Sequence, residues 1–161
     1  MAVKNFDIRE GLTPLDSVRL SENFTLQELY DASFMTPNEW LSATHIPFDS
    51  RLVLISQAIR DKVGHEVYWN SAFRSLAYDE SKGRKNTRKT HSRGLAVDVS
   101  GSGVVELLER SFNAKDEFFM SLVAMGLSSI GFYDTFVHID VDTPKADGSI
   151  RTWSFKKKKR V

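Results

Sequence analysis

The run GLAVDVS, residues 94–100, constrains this chain more than any other stretch. Ala96, Val97 and Val99 belong inside, so the run reads as a core strand, yet Asp98 sits in its middle. An ionised carboxylate in a core is costly unless something positive meets it. The candidates are a basic side chain, a group of hydrogen-bond donors, or a metal ion. The run FVHID, residues 136–140, poses the same problem again. Alternate residues of a strand share a face. His138 and Asp140 therefore point one way, and Val137 and Ile139 the other. If the two strands are neighbours, His138 and Asp98 converge with the preceding His91. Two neutral imidazoles and one carboxylate with an open fourth position form the donor set of a catalytic zinc site.

The absence of cysteine removes thiolate ligands and disulfides, so any zinc must be held by His, Asp or Glu. With 161 residues, 41% hydrophobic and 27% charged, the chain predicts one globular domain with a real core. The 22 Lys and Arg nearly balance the 21 Asp and Glu, so the distribution of charge matters more than its sum. One basic cluster comprises Lys82, Arg84, Lys85, Arg88, Lys89 and Arg93, and another is KKKKR at 156–160. No window is long and apolar enough to span a membrane. The stretch MAVKNFDIREGLTPLDS lacks an apolar signal core, which predicts synthesis in the cytoplasm.

Residues 1–22 read as an extended lead-in, 1–155 as a single domain and 156–161 as a basic tail. FTLQEL starts a helix with a capping box from Thr25 and Glu28, and MTPNEW starts another with Pro37 in its first turn. A helix follows Asp49 or Ser50, with Leu52, Ile55, Ile59 and Val63 at helical spacing and Gly64 closing it. EVYWNSAF, 66–73, reads as a strand and 75–90 as a polar loop with one helical turn. After GLAVDVS come short helices over about 103–112 and 115–125, then strands SSIGFYD and TFVHIDVD with a turn near Asp134, and a last strand at RTWSF. Helices first, then strands mixed with short helices, predict an α+β fold: a small antiparallel sheet flanked by helices.

Three elements in order carry a resemblance. They are Asn70-Ser71-x-x-Arg74-Ser75, then His91-x-x-Gly94-x-Ala96-x-Asp98, then Phe136-Val137-His138-x-Asp140. Spanning about 24–142, they resemble the zinc D-alanyl-D-alanine carboxypeptidase family, which includes D-Ala-D-Ala dipeptidases and phage L-alanyl-D-glutamate endolysins. The closest likeness is to its short phage and bacterial members. The resemblance implies the hedgehog-like zinc D,D-peptidase fold, with zinc held by His91, Asp98 and His138. It implies that Arg74 grips a peptide carboxylate or carbonyl and that Ser71 positions substrate or supports the site. The expected activity is hydrolysis of peptidoglycan stem or cross-link peptides, by a carboxypeptidase or an endopeptidase of phage type. Such a protein would act at the cell wall or be carried in a virion.

The chain departs from the family pattern twice. Lys89 stands where many members have a serine two residues before the first histidine. Thr135 stands where many have a catalytic acid three residues before the last one, with Asp134 one position further back. Two carboxylates are therefore candidates for the general base: Asp140 first, on the face of His138, and Asp134 second. Asp140 has an alternative role as the partner that orients a histidine. The basic cluster before His91 and the tail suit a polyanionic partner. Two other functions remain open: a zinc-containing module that binds cell wall without cleaving it, and a virion structural protein whose tail holds nucleic acid.

Overall fold

The computed structural model describes residues 3–9, 14–85 and 88–157. It is an α+β fold with seven strands and six α-helices among the described residues. Strands β1 (Val3–Asp7) and β2 (His45–Asp49) form a two-stranded antiparallel ribbon. Helices α1 (Leu26–Asp31) and α2 (Pro37–Ser42) lie between them in sequence. Both start with a complete capping box, Thr25 with Glu28 and Thr36 with Glu39, and each satisfies backbone donors that the first helical turn would leave orphaned.

Helix α3 (Ser50–Val63) starts on the Asp49 carboxylate, which accepts the Arg51 N–H, and stops at Gly64 with φ +82°. Strand β3 (Tyr68–Ser71), helix α4 (Leu76–Ser81), strand β4 (Ala96–Ser100), helices α5 (Val104–Ala114) and α6 (Glu117–Ala124), and strands β5 (Ser129–Phe132), β6 (Val137–Asp140) and β7 (Arg151–Ser154) follow. Five of these strands form the main sheet in the order β3-β4-β6-β5-β7.

The expected antiparallel sheet needs correction at one edge. Its pairs are antiparallel except β5–β7, which is parallel. Between β6 and β7 the chain runs through 141–150 and returns along the far side of β5, so β7 does not form a hairpin with β6. The expected lead-in is also more structured than a lead-in: Val3–Asp7 pairs with His45–Asp49, a strand the sequence reading did not find. At the other end, Lys156 pairs with Glu109 at 3.0 Å and the Lys157 N–H donates to Asp134, so packing runs past residue 155. The rest of the basic tail, 158–161, lies outside the described residues.

Cross-strand register sorts the sheet into two faces. Val97, Ile139 and Ile130 form one transverse row, and Val99, Val137 and Phe132 form another. All six are buried, in one core cluster with Leu52, Ile55 and Ile59 of α3 and Val104 and Leu108 of α5. Burying each such side chain contributes about 1.5–3 kcal/mol, which is what holds the helices against this face. The opposite face carries the row Ser71–Asp98–His138–Gly131–Trp153, one residue from each of the five strands. No helix in the described residues is long and apolar enough to cross a membrane.

Candidate metal centre

Asp98 and His138 are direct register partners on adjacent central strands, which places their side chains together on the same face. His91 arrives from outside the sheet, on a 3₁₀ turn spanning His91–Arg93. Gly94 ends this turn with φ +71°. A Cβ there would lie 2.6 Å from the Pro47 carbonyl oxygen, so glycine lets the turn sit directly against β2. The Gly94 carbonyl accepts the Asp49 N–H at 2.8 Å, which fastens that contact.

The hydrogen bonds identify which ring nitrogens are bare. His91 Nδ1 lies 2.7 Å from the Ala72 carbonyl, which can only accept, so Nδ1 carries the proton and Nε2 has a free lone pair. His138 Nε2 lies 3.0 Å from Asp140 Oδ2, so Nε2 donates there and Nδ1 is bare. These two bare nitrogens face each other at 3.3 Å, and Asp98 Oδ1 lies 3.5 Å from the first and 3.1 Å from the second. Tetrahedral zinc at about 2.0–2.1 Å from N and O donors spaces its ligand atoms by about 3.3 Å. A proton on His138 would satisfy one edge of this triangle of lone pairs, whereas a divalent cation satisfies all three. The three residues are buried and could hold a metal ion.

Without a cation the triangle couples its own charges. Burial alone would raise the Asp98 pKa, but contacts from His138 and His91 outweigh it and hold the carboxyl well below the usual range. For His138, burial favours the neutral ring, while Asp140 and Asp98 pull its pKa above the ordinary value. Asp140 is also held low: its desolvation is outweighed by His138, then by Ser129 and Arg88.

Asp140 has the geometry of an orienting partner. It accepts from His138 through Oδ2 and from the Ser128 hydroxyl through Oδ1 at 3.1 Å, and it is 1% exposed. Both oxygens are thus engaged, which suits an orienting role better than the first assignment as general base. Asp134 is exposed beyond the end of β5, where it accepts the Lys157 N–H, and it does not line the cavity over the triangle. The second assignment therefore has no geometric support either.

That cavity measures about 410 Å³ and is walled by Arg74, Arg84, Arg88, Tyr133, Phe136 and Trp153 among others. A smaller one of about 230 Å³ shares Arg74, Arg84, Asp98 and Phe136 with it and extends past Ser71 and Tyr78. Arg74 and Arg84 both meet the buried Asp79, at 3.2 and 3.3 Å. The Arg74 contact is too poorly aligned to be a hydrogen bond, so its buried Nε lacks an acceptor. The Arg74 Nη1 lies 3.5 Å from Ser71 Oγ, which keeps both expected substrate residues at the cavity. Ser75 instead does structural work, capping α4 and donating to Glu39 at 2.7 Å. Lys89 is exposed, with φ +54°, and does not line the cavity.

Sequence reasoning missed Trp153 and Tyr133 as cavity residues. The basic cluster before His91, which its place in the sequence puts at the rim of the cleft, contributes Arg84 and Arg88 to the wall. Trp153 gave a findable signal, a tryptophan on a strand expected to join the same sheet. The chain matches no protein-family model, no curated protein and no solved structure.

Proposed function

We propose that the chain is a zinc-dependent peptidase of the hedgehog-like D,D-peptidase type, hydrolysing stem or cross-link peptides of peptidoglycan as a phage-type lysis enzyme does. The observation that carries this reading is the triangle of His91 Nε2, His138 Nδ1 and Asp98 Oδ1, at zinc-ligand spacing, in the wall of a cavity large enough for a peptide unit. The motif resemblance set out above adds to it, since the same three residues are the ones it implies.

Zinc in that position would supply Lewis acidity, bringing the pKa of a water toward ~7 and polarising a carbonyl. Ala72 and Asp140 fix the two imidazole tautomers so that both rings present lone pairs. Both histidines meet the same oxygen of Asp98, Oδ1, which leaves Oδ2 as the carboxylate oxygen outside the triangle and the candidate proton acceptor. Arg74, held beside Asp79 and Ser71, offers a guanidinium to a substrate carboxylate or carbonyl. Action on the wall follows from this substrate class.

The test is mass spectrometry of purified wall fragments after incubation with zinc-loaded protein, beside His138→Ala. New peptide termini with the wild type alone support hydrolysis and identify the bond. No new termini on several wall chemotypes, despite bound zinc, would overturn it. One observation favours a second reading, a zinc-containing module that binds wall peptide without cleaving it. Neither Asp140 nor Asp134 is placed as a base, and the oxygen that remains belongs to a carboxylate already committed to the triangle.

A further inference from the structure

Gly131 sits between His138 and Trp153 in the transverse row, paired in register with both. A Cβ on Gly131 would lie 2.3 Å from the Trp153 ring. The missing side chain is therefore the slot in which the indole lies, and through it Trp153 reaches back over β5 to pack on His138, with ring centroids 5.1 Å apart. From there its Nε1–H donates to the Tyr133 hydroxyl oxygen at 3.2 Å. The Tyr133 ring is stacked on Phe136 at 4.3 Å and 11°, and Phe155 packs against it at 5.6 Å. Tyr133, Phe136 and Trp153 all line the cavity that holds the triangle.

A phenol has one proton to give. Trp153 is a pure donor, so it occupies a lone pair of the Tyr133 oxygen and leaves the phenolic proton uncommitted to it. Besides the Thr90 hydroxyl, the other donors of the cavity wall are arginines: Arg84 and Arg88 are tied to Asp79 and Asp142, and Arg74, with a buried Nε that lacks an acceptor, is a second donor open to a ligand. We infer that the Tyr133 hydroxyl, held in place by Trp153, donates a hydrogen bond to the oxygen of a ligand seated at the His91–Asp98–His138 triangle. For a peptide this is the carbonyl oxygen that takes on negative charge as the carbonyl becomes tetrahedral. Trp153 is then a positioning residue acting through Tyr133. The inference rests on the peptidase reading for the identity of the ligand, but not for the geometry of the hydroxyl.

A preorganised donor aimed at developing charge is worth more there than in water. The measurement is calorimetric titration of the zinc-loaded full chain with two dipeptide analogues. One is a phosphinate, which presents tetrahedral oxygens, and the other is a thiol, which presents sulfur and no such oxygen. Tyr133→Phe keeps the ring and its stack. It is expected to weaken phosphinate binding by about 10–100-fold and leave thiol binding within about twofold. Trp153→Phe is expected to weaken phosphinate binding less, and zinc stoichiometry is expected to stay at the wild-type value in both variants. Equal phosphinate affinity in wild type and Tyr133→Phe would overturn the assignment, as would equal losses for both analogues or wild-type protein that binds neither. Tyr133-dependent phosphinate binding without cleavage of wall peptides would uphold the hydroxyl's role and remove the hydrolytic reading.

Discussion

On one face of β4 and β6 lie Val97, Val99, Val137 and Ile139. On the other, one residue along the same backbone, lie Asp98, His138 and Asp140. Both sets are buried. The apolar set gains free energy from burial itself, whereas the polar set loses it unless each lone pair and proton finds a partner. The difference teaches that strand alternation lets one pair of strands anchor the core and present a site. It also means the two faces should fail in different ways when altered.

The largest effect is expected from Asp98→Ala, which removes one corner of the triangle. Zinc affinity should fall by more than the roughly 10–100-fold typical of losing an outer partner. Equilibrium dialysis with metal analysis reads this directly, and retained stoichiometric zinc would break the distinction between the faces. The mirror experiment is Ile139→Ala. Its side chain is fully buried, so urea unfolding of the metal-free protein should show a loss of about 2–5 kcal/mol. The folded variant should still bind zinc one to one.

Asp140→Asn sharpens the contrast within the polar face. The amide oxygen can still accept from His138 Nε2, but the negative charge behind the ring is gone. Calorimetry should show metal binding weakened by about 10–100-fold with little change in unfolding midpoint. A loss as large as that of Asp98→Ala would make Asp140 a ligand rather than an orienting partner.

The smallest effect concerns the strap formed by residues 141–150, which leads from β6 to β7. Arg88 and Arg93 both clamp Asp142, at 2.7 and 2.8 Å. Burial raises the Asp142 pKa, yet the bonds from Arg93 and Arg88 outweigh it and hold the carboxyl below its usual range. A depressed folded-state pKa contributes stability that is present above the unfolded value of about 3.9 and is lost as pH falls through the lower folded value. Thermal melts of the metal-free protein should therefore lose stability below about pH 4, and Asp142→Asn should flatten that part of the profile. An unchanged acid limb would remove the strap from the account.

Much of this was legible because it was local. The capping box at Thr25, the Asp49 and Gly64 limits of the long helix, and the five strands of the main sheet follow from propensity and spacing. The triangle was legible because ionisable residues in otherwise apolar strands leave few physical explanations. The parallel β5–β7 pair was not, since strand patterns state which residues face inward but not which neighbour a returning chain chooses. The Val3–Asp7 ribbon was missed for a similar reason: its burial is partial, and its partner HIPFD carries a proline that argues against a strand. The role of Asp140 turned on which oxygen meets which nitrogen, a matter of ångströms that alternation cannot resolve.

The close approach at Gly94 has a practical consequence for anyone altering this protein. The first strand contributes no residue to the cavity wall, so it looks like a convenient place for a label, a tag or a deletion. Yet β1 is the strand paired with β2 among the described residues, and β2 is the surface against which the His91 turn is pressed. The N-terminal ribbon and a histidine far along the chain thus share one packed support. A handle attached there would bear on the support of the candidate metal site as well as on the terminus.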